Sequence, residues 1–204
     1  MRISTWTWPT WPAPDAGVIV LGIDPGTATT GYGVVRGDGA APMALIECGV
    51  IRTRPREPLA LRLRTIHDGV TELIQRHRPD ALAVEDVFYS RNVRTTVVLG
   101  HARGVVLLAG ALANVEVHEY PPAEIKKAVT GTGAATKEQV QFMLTRLLRL
   151  RAAPQPSDAA DGVAAAVTCV MTSGVRRRLA EVRSPAPASS FQTGARLAPL
   201  RGQS

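Results

Sequence analysis

Residues 18–27 read VIVLGIDPGT, an apolar run rich in β-branched residues that ends in an acid and a Pro-Gly pair. Such a run bounded by turn residues predicts a buried strand. Two further short strands are predicted at Gly31–Arg36 and Ala44–Ile51, and their close spacing favours an antiparallel meander. The folded part of the chain therefore opens with three antiparallel strands.

The remainder of the pattern alternates helices with strands. Apolar residues recur at helical spacing from Leu59 to Ile74, and the cations and proline of residues 76–79 close that helix. The later elements are strands at Ala81–Glu85 and Val115–Tyr120, and helices at Val93–Asn114, Ala123–Val129, Thr136–Leu150 and Asp158–Thr172. This order predicts an α/β domain in which helices flank a mixed five-stranded sheet, three antiparallel strands followed by two parallel ones. It is the element order of an RNase H-like fold.

Composition narrows the class of protein. With 204 residues, 45% hydrophobic and 20% charged, the chain has the size and balance of one folded domain. Its two cysteines, Cys48 and Cys169, stand far apart without a CxxC pattern, so neither a disulfide scaffold nor a thiolate metal site is expected. Apolar stretches such as Val105–Ala113 are shorter than a membrane span. We expect a cytoplasmic protein that does not cross a membrane.

The two ends differ from the middle of the chain. Residues 1–17 are predicted to form an extension that is rich in Trp and Pro, residues 18–174 the folded domain, and residues 175–204 a basic, flexible tail. Of the net charge of +7, the part after Val175 carries 6 − 1 = +5. A basic arm of this kind suits a phosphate backbone, and an inert soluble tail is the alternative.

Five acids stand where predicted elements end or begin. Asp24 ends the first strand, Glu85 and Asp86 close the fourth, and Asp158 and Asp161 lie three apart at the start of the last helix. Each has a plain structural explanation, as a turn former, a solvated strand end or an acid in a helix first turn. Successive strand side chains face opposite sides, so only one of Glu85 and Asp86 can share a site with Asp24.

Four of these acids together indicate a metal centre. Two acids from strand ends and two from one helix can converge on two divalent ions that clamp a phosphodiester. Oxygen ligands suit Mg²⁺ or Mn²⁺ and do not suit zinc. The four histidines show no ligand spacing and are predicted to be surface or packing residues: His67, His77, His101 and His118.

The sequence closely resembles the RuvC-type Holliday junction resolvases. The resemblance runs from about Val18 to Ser173, and its motifs stand in the family's order: LGIDPGT (21–27), TGYG (30–33), AVEDVF (83–88), GHARG (100–104), KKAVTGTG (126–133) and DAAD (158–161). Two positions depart from the family's pattern. Asp86 adds a second acid beside Glu85, and Gly162 stands where a better helix former is expected.

The resemblance implies an RNase H-like, metal-dependent endonuclease that makes symmetric paired nicks in four-way DNA junctions. The products would carry 5′-phosphate and 3′-hydroxyl ends. It implies two Mg²⁺ or Mn²⁺ ions for each active site, held by the catalytic acids Asp24, Glu85, Asp158 and Asp161. Phe88 would wedge against junction bases, and Lys126 and Lys137 would contact DNA, with Arg91 predicted as a further contact.

The resemblance also implies a homodimer, because one domain offers one such site and two nicks are needed. Part of the apolar helix Val93–Asn114 is predicted to pack against the same helix of a second copy. The RuvA–RuvB branch-migration complex is an expected partner. Two alternatives compete with this interpretation: an actin-like ATPase or sugar kinase, which would need a second domain, and a junction-binding module without catalysis.

Overall fold

The central strand β2 (Val18–Asp24) organises the sheet, as the apolar run of residues 18–27 predicts. In the computed structural model, residues 3–6, 17–38, 42–86 and 93–183 are described. The other elements are β1 (Ile3–Trp6), β3 (Thr29–Gly37), β4 (Ala44–Arg52), α1 (Leu59–His77), β5 (Ala81–Glu85), α2 (Val93–Leu112), β6 (Glu116–Tyr120), α3 (Pro122–Thr130), α4 (Lys137–Leu147) and α5 (Ser157–Arg183).

The sheet has the strand order β1-β4-β3-β2-β5-β6. Strands β2, β3 and β4 pair antiparallel, whereas β5 pairs parallel with β2 and with β6. The five predicted strands and their directions are confirmed. A sixth strand, β1, extends the sheet by pairing antiparallel with β4, so that Ile3 lies opposite Ile51. This strand falls within residues 1–17, which the sequence pattern predicts only as an extension.

Helices cover both faces of the sheet. Helix α5 lies across β2 and β3 on one face, where α3 and α4 pack beside it, and α1 and α2 pack together over the other face. The buried Ala and Val residues of α5, such as Ala165 and Val167, let the helix lie close to the strands. Its backbone runs on to Arg183, so the helix passes through the predicted boundary between residues 174 and 175.

Helix α2 corrects one expectation from the sequence. Over Val93–Leu112 it is long and apolar enough, by length and composition, to cross a membrane, whereas the apolar stretches were expected to be too short. Helices in the cores of soluble proteins pass the same test. Residues Ala102, Val106 and Ala109 of α2 are buried in the core that it shares with α1 and the sheet. Only 22% of this apolar stretch is buried, so α2 packs along one side and leaves the rest of its surface uncovered.

Candidate active site

Strand register brings Asp24 and Glu85 to the same face of the sheet. Ile23 lies level with Val84 in the parallel pair of β2 and β5, so the next step along both strands brings the two acids level. Side chains at matching positions of neighbouring strands point to the same side. Both carboxyl groups are partly buried at the strand ends, on the face that α5 covers.

Glycines let the first turns of α5 lie directly on this end of the sheet. A Cβ on Gly22 would lie 2.1 Å from the carbonyl oxygen of Gly162, and one on Gly31 would lie 1.8 Å from that of Asp158. A Cβ on Gly162 would lie 2.6 Å from the Cα of Tyr32, which explains a glycine inside a helix at this position. This close approach holds Asp158 and Asp161 beside the strand ends.

Asp86, the acid that directly follows β5, points to the opposite face. Asp86 forms an ion pair with Arg103 of α2, with 3.2 Å between Oδ1 and Nε, and Arg103 also pairs with Glu119 of β6. Of the two neighbouring acids, Glu85 thus shares a face with Asp24 and Asp86 does not, as strand alternation predicts.

Lys137 lies next to the acids because α4 begins there. Thr136 caps the helix, since its side chain accepts a hydrogen bond from the backbone N–H of Gln139 and the Gln139 side chain accepts one from the Thr136 backbone N–H. The cap fixes the first turn, and the Nζ of Lys137 donates to Oδ2 of Asp161 at 2.6 Å. One predicted DNA contact is therefore an ion-pair partner of one predicted metal ligand.

A cavity of about 190 Å³ joins these residues. Glu85, Lys126, Lys137 and Asp161 supply its charged lining, and apolar residues of α3, α4 and α5 supply the rest. The structure thus brings Lys126, which the sequence marks as a DNA contact, into the same space as two of the four acids.

The acids repel one another in partly buried surroundings. Burial and the charges of Asp161 and Asp158 raise the pKa of Asp24 to about 6. Burial and the charges of Asp24 and Asp161 raise the pKa of Glu85 to about 8. Burial also raises the pKa of Asp161, despite its bond to Lys137. Such mutual effects require the carboxyl groups to share one region of space.

The donor set fits a hard divalent cation. Its oxygens are the ligands that Mg²⁺ and Mn²⁺ prefer, and a cation would offset the excess of negative charge. Among the described residues, no three His, Cys, Asp or Glu side chains lie close enough together to hold a metal as they stand. The ion pair of Asp161 with Lys137 accounts for part of this spread, because it draws one carboxylate toward a cation of the chain itself.

The turn after Asp24 is held by two threonines. The Thr30 hydroxyl donates to the carbonyl oxygen of Gly26 at 2.8 Å, and that of Thr53 donates to the carbonyl oxygen of Thr27 at 2.6 Å. The Pro-Gly motif thus acts as a turn former, and Asp24 precedes the turn as a candidate ligand. No local pattern marks Thr53, since its partner lies 26 residues away.

Two predicted DNA contacts, Phe88 and Arg91, lie outside the described residues, between Asp86 and the start of α2. Three of the histidines contact acids elsewhere in the fold: His77 bonds the buried Glu47, and His67 and His118 pair with Asp68 and Glu116.

The raised pKa values predict a pH-dependent stability in metal-free buffer. The folded protein keeps a proton on Asp24 between about pH 4 and pH 6, and one on Glu85 between about pH 4 and pH 8, where the unfolded chain has lost both. The free energy of unfolding should therefore fall as pH rises from 5 to 8, by on the order of a few kcal/mol. Urea unfolding of the wild type and of Glu85→Gln in EDTA measures this slope.

The Glu85→Gln variant should lose most of the slope and be the more stable protein at pH 8. Asp86→Asn is the matched control, because its side chain pairs with Arg103 on the other face. Equal slopes for wild type and Glu85→Gln would show that this carboxyl group does not lie in the repulsive cluster.

Comparison with known proteins agrees with this architecture. The family model described as crossover junction endodeoxyribonuclease RuvC matches residues 20–169. Proteins named crossover junction endodeoxyribonuclease RuvC are 48% identical over 152 residues in Desulforamulus reducens and 50% identical over 161 residues in Salinispora arenicola. These alignments cover 74% and 79% of this chain and 91% and 92% of the relatives.

The similar solved structures include two resolvases. Thermus thermophilus RuvC in complex with Holliday junction substrate has a TM-score of 0.74 at 40% identity, covering 78% of this chain and 96% of that one. The yeast mitochondrial Holliday junction resolvase has a TM-score of 0.55 at 11% identity over 81% and 84% of the two chains, a likeness of fold alone.

The mixed sheet, flanked by helices and closed by α5, defines an α/β protein of the RNase H-like class. Within that class, the chain belongs to the crossover junction endodeoxyribonuclease RuvC family, a family of endonucleases.

Proposed function

We propose that this chain resolves four-way DNA junctions by making symmetric paired nicks that leave 5′-phosphate and 3′-hydroxyl ends. The observation that carries the proposal is the electrostatic coupling of Asp24, Glu85 and Asp161, in which Asp158 also acts on Asp24 and on Asp161. Repulsion among four acids in one region lowers the stability of the folded protein. Clusters of this kind are typical of sites whose chemistry uses them. Membership of the RuvC family supplies the substrate class.

Nucleases of this family are metal-dependent. We propose Mg²⁺ or Mn²⁺, two ions for each site, with Asp24, Glu85, Asp158 and Asp161 as the ligands. Bound ions would lower the pKa of a coordinated water and offset negative charge on the phosphate. The protein's own part is to hold the acids in place, which the close contact of α5 with the sheet supports.

Lys137 would act on the phosphate. Its amine is half-exposed, and the hydrogen bond and charge of Asp161 outweigh burial and raise its pKa, so it stays cationic. If Asp161 held a divalent cation, the Lys137 ammonium group would be available to bind a phosphate oxygen. Lys126, in the same cavity, would contribute a second positive charge, and Phe88 and Arg91 would contact bases and backbone at the junction.

We further propose a homodimer that forms through α2. One side of this helix leaves Val93, Val97, Leu108 and Leu112 exposed, and a Cβ on Gly100 or Gly104 between them would meet nothing within 4 Å. A continuous apolar stripe of this kind is typical of an interface. A two-fold pairing of this stripe would supply the second site that paired nicking needs. We also propose that the RuvA–RuvB complex is a partner of this protein and that the protein acts in the cytoplasm.

The experiment that tests the function compares labelled four-way, three-way and linear DNA with each metal. We expect two symmetric nicks in the four-way junction, little cutting of linear DNA, and a dimer by sedimentation. Val97→Asp places a charge on the stripe and should give monomers that nick singly or not at all. Gln75→Asp, at an exposed position of α1, is the matched control and should remain dimeric.

Other outcomes separate the alternatives. A protein that binds junctions but cuts none with either metal would be a binding module. A monomeric protein, free and on DNA, that still makes paired nicks would refute the role given to α2.

A further inference from the structure

A second cavity, of about 400 Å³, lies beside the candidate active site. We call it the Phe142 pocket. Its lining comes from the end of α3, the following loop and the first two turns of α4: Thr130, Thr132, Glu138, Gln139, Phe142 and Met143. None of these six residues has a part in the function proposed above.

Phe142 lies on the side of α4 that faces away from the core. Its side chain is 57% exposed, whereas Val140 and Leu144 turn the other side of α4 into the core. The guanidinium of Arg146 lies 5.2 Å from the ring centroid, a cation–π distance. The chain has only three phenylalanines. One of them is thus exposed next to an open cavity, where its ring is available to a ligand.

The polar lining suits the edge of a nucleobase. The carboxylate of Glu138 can accept hydrogen bonds. Gln139 accepts from the Thr136 backbone N–H at 2.8 Å through Oε1, which leaves its amide nitrogen as a donor. An aromatic face together with an acceptor and a donor is the set that recognises a base by stacking and by its edge. A phosphate would be repelled by Glu138.

Neighbouring residues of two helices line the pocket and the active-site cavity. On α4, Lys137 lines one cavity and the next residue, Glu138, lines the other. On α3, Lys126 and Thr130 do the same, and the Thr130 hydroxyl donates to the Lys126 carbonyl oxygen at 2.8 Å. Successive residues of a helix point about 100° apart, so the two cavities open on different sides of the first turns of α4, and a strand that crosses these turns passes both. The cations beside the pocket favour a polyanionic strand.

We propose that the Phe142 pocket binds one nucleobase of the cut strand next to the scissile phosphate. Phe142 stacks on the base, and Glu138 and Gln139 read its edge, so the pocket contributes to the sequence preference of cleavage. This inference rests on the proposed function, because it takes the acids to mark the scissile phosphate.

A fluorescent base tests the pocket without cleavage. Junctions carrying 2-aminopurine at successive positions around the cut site are bound in metal-free buffer. We expect the fluorescence to change at one position with wild type and with Phe142→Trp, and not with Phe142→Ala. Cleavage rates over a panel of junction sequences should show a preference at that position, which Phe142→Ala reduces about tenfold. Gln141→Ala, on the same helix, should keep the preference.

The inference is overturned if Phe142→Ala keeps both the fluorescence change and the wild-type preference, or if it slows cleavage of every sequence equally. A thermal melt confirms that each variant is folded. If the wild type cut no junction, the proposed function would fail, and the 2-aminopurine signal would still decide whether the pocket takes a base.

Discussion

Cleavage of four-way junctions should fall about a thousandfold or more when any one of the four acids is changed to its amide. The variants are Asp24→Asn, Glu85→Gln, Asp158→Asn and Asp161→Asn. Each removes a charged oxygen ligand and keeps the shape of the side chain. Junction binding should stay within about twofold, because phosphate contacts come from other residues. Single-turnover cleavage and a gel-shift titration measure the two quantities.

The neighbouring acid supplies the control for this series. Asp86→Asn changes the same kind of group one residue from Glu85, on the opposite face, where it pairs with Arg103. It should cleave close to the wild-type rate. An amide variant that retains full activity would remove that residue from the site. A loss of activity in Asp86→Asn as large as that in Glu85→Gln would contradict the assignment of Glu85, and not Asp86, to the face that Asp24 shares.

A single methyl group on Gly162 should destabilise the protein by about 3 kcal/mol or more and also reduce cleavage. In an exposed helix, Gly→Ala stabilises by up to about 1 kcal/mol, so the expected effect has the opposite sign. The reason is that the new Cβ would meet the backbone of Tyr32, at 2.6 Å from its Cα, and backbone cannot move aside cheaply. Helix α5 would shift, and Asp158 and Asp161 with it. Urea unfolding and junction cleavage report the two losses.

Gln75→Ala is the control for this prediction. Gln75 also lies inside a helix, at an exposed position of α1 away from the α2 stripe, and the change removes side-chain atoms without adding any. It should leave the free energy of unfolding unchanged or slightly higher. A Gly162→Ala protein as stable as the wild type would show that α5 does not rest on β3 as closely as described.

Much of the site could be predicted because it depends on local rules. The apolar run before Asp24 predicts a buried strand, and strand alternation separates Glu85 from Asp86. The three-residue spacing of Asp158 and Asp161 places both on one side of a helix. Each inference needs only a short stretch of sequence. The register of β2 with β5 agrees with the placing of Glu85 beside Asp24.

The features that could not be predicted depend on distant contacts. Strand β1 comes from a stretch without alternating polarity, and its pairing partner β4 lies more than 40 residues away. Glycine is a poor helix former, so Gly162 is unexpected from local sequence. The reason for it is the backbone of Tyr32, which leaves no room for a Cβ. The Phe142 pocket arises where α3, a loop and α4 meet. The glycines at alternate positions 31 and 33 of β3 were the available signal for the close approach of α5.

The four proposed ligands come from nearly opposite ends of the folded domain, and this has a consequence for synthesis. Asp24 and Glu85 leave the ribosome early, whereas Asp158 and Asp161 come with α5, the last of the described helices. An incomplete chain that stops before α5 has half of the ligands and exposes the sheet face that this helix covers. On this assignment, no nascent fragment short of residue 161 carries a complete nuclease centre. The chain order itself delays the ability to cut DNA until the domain is finished.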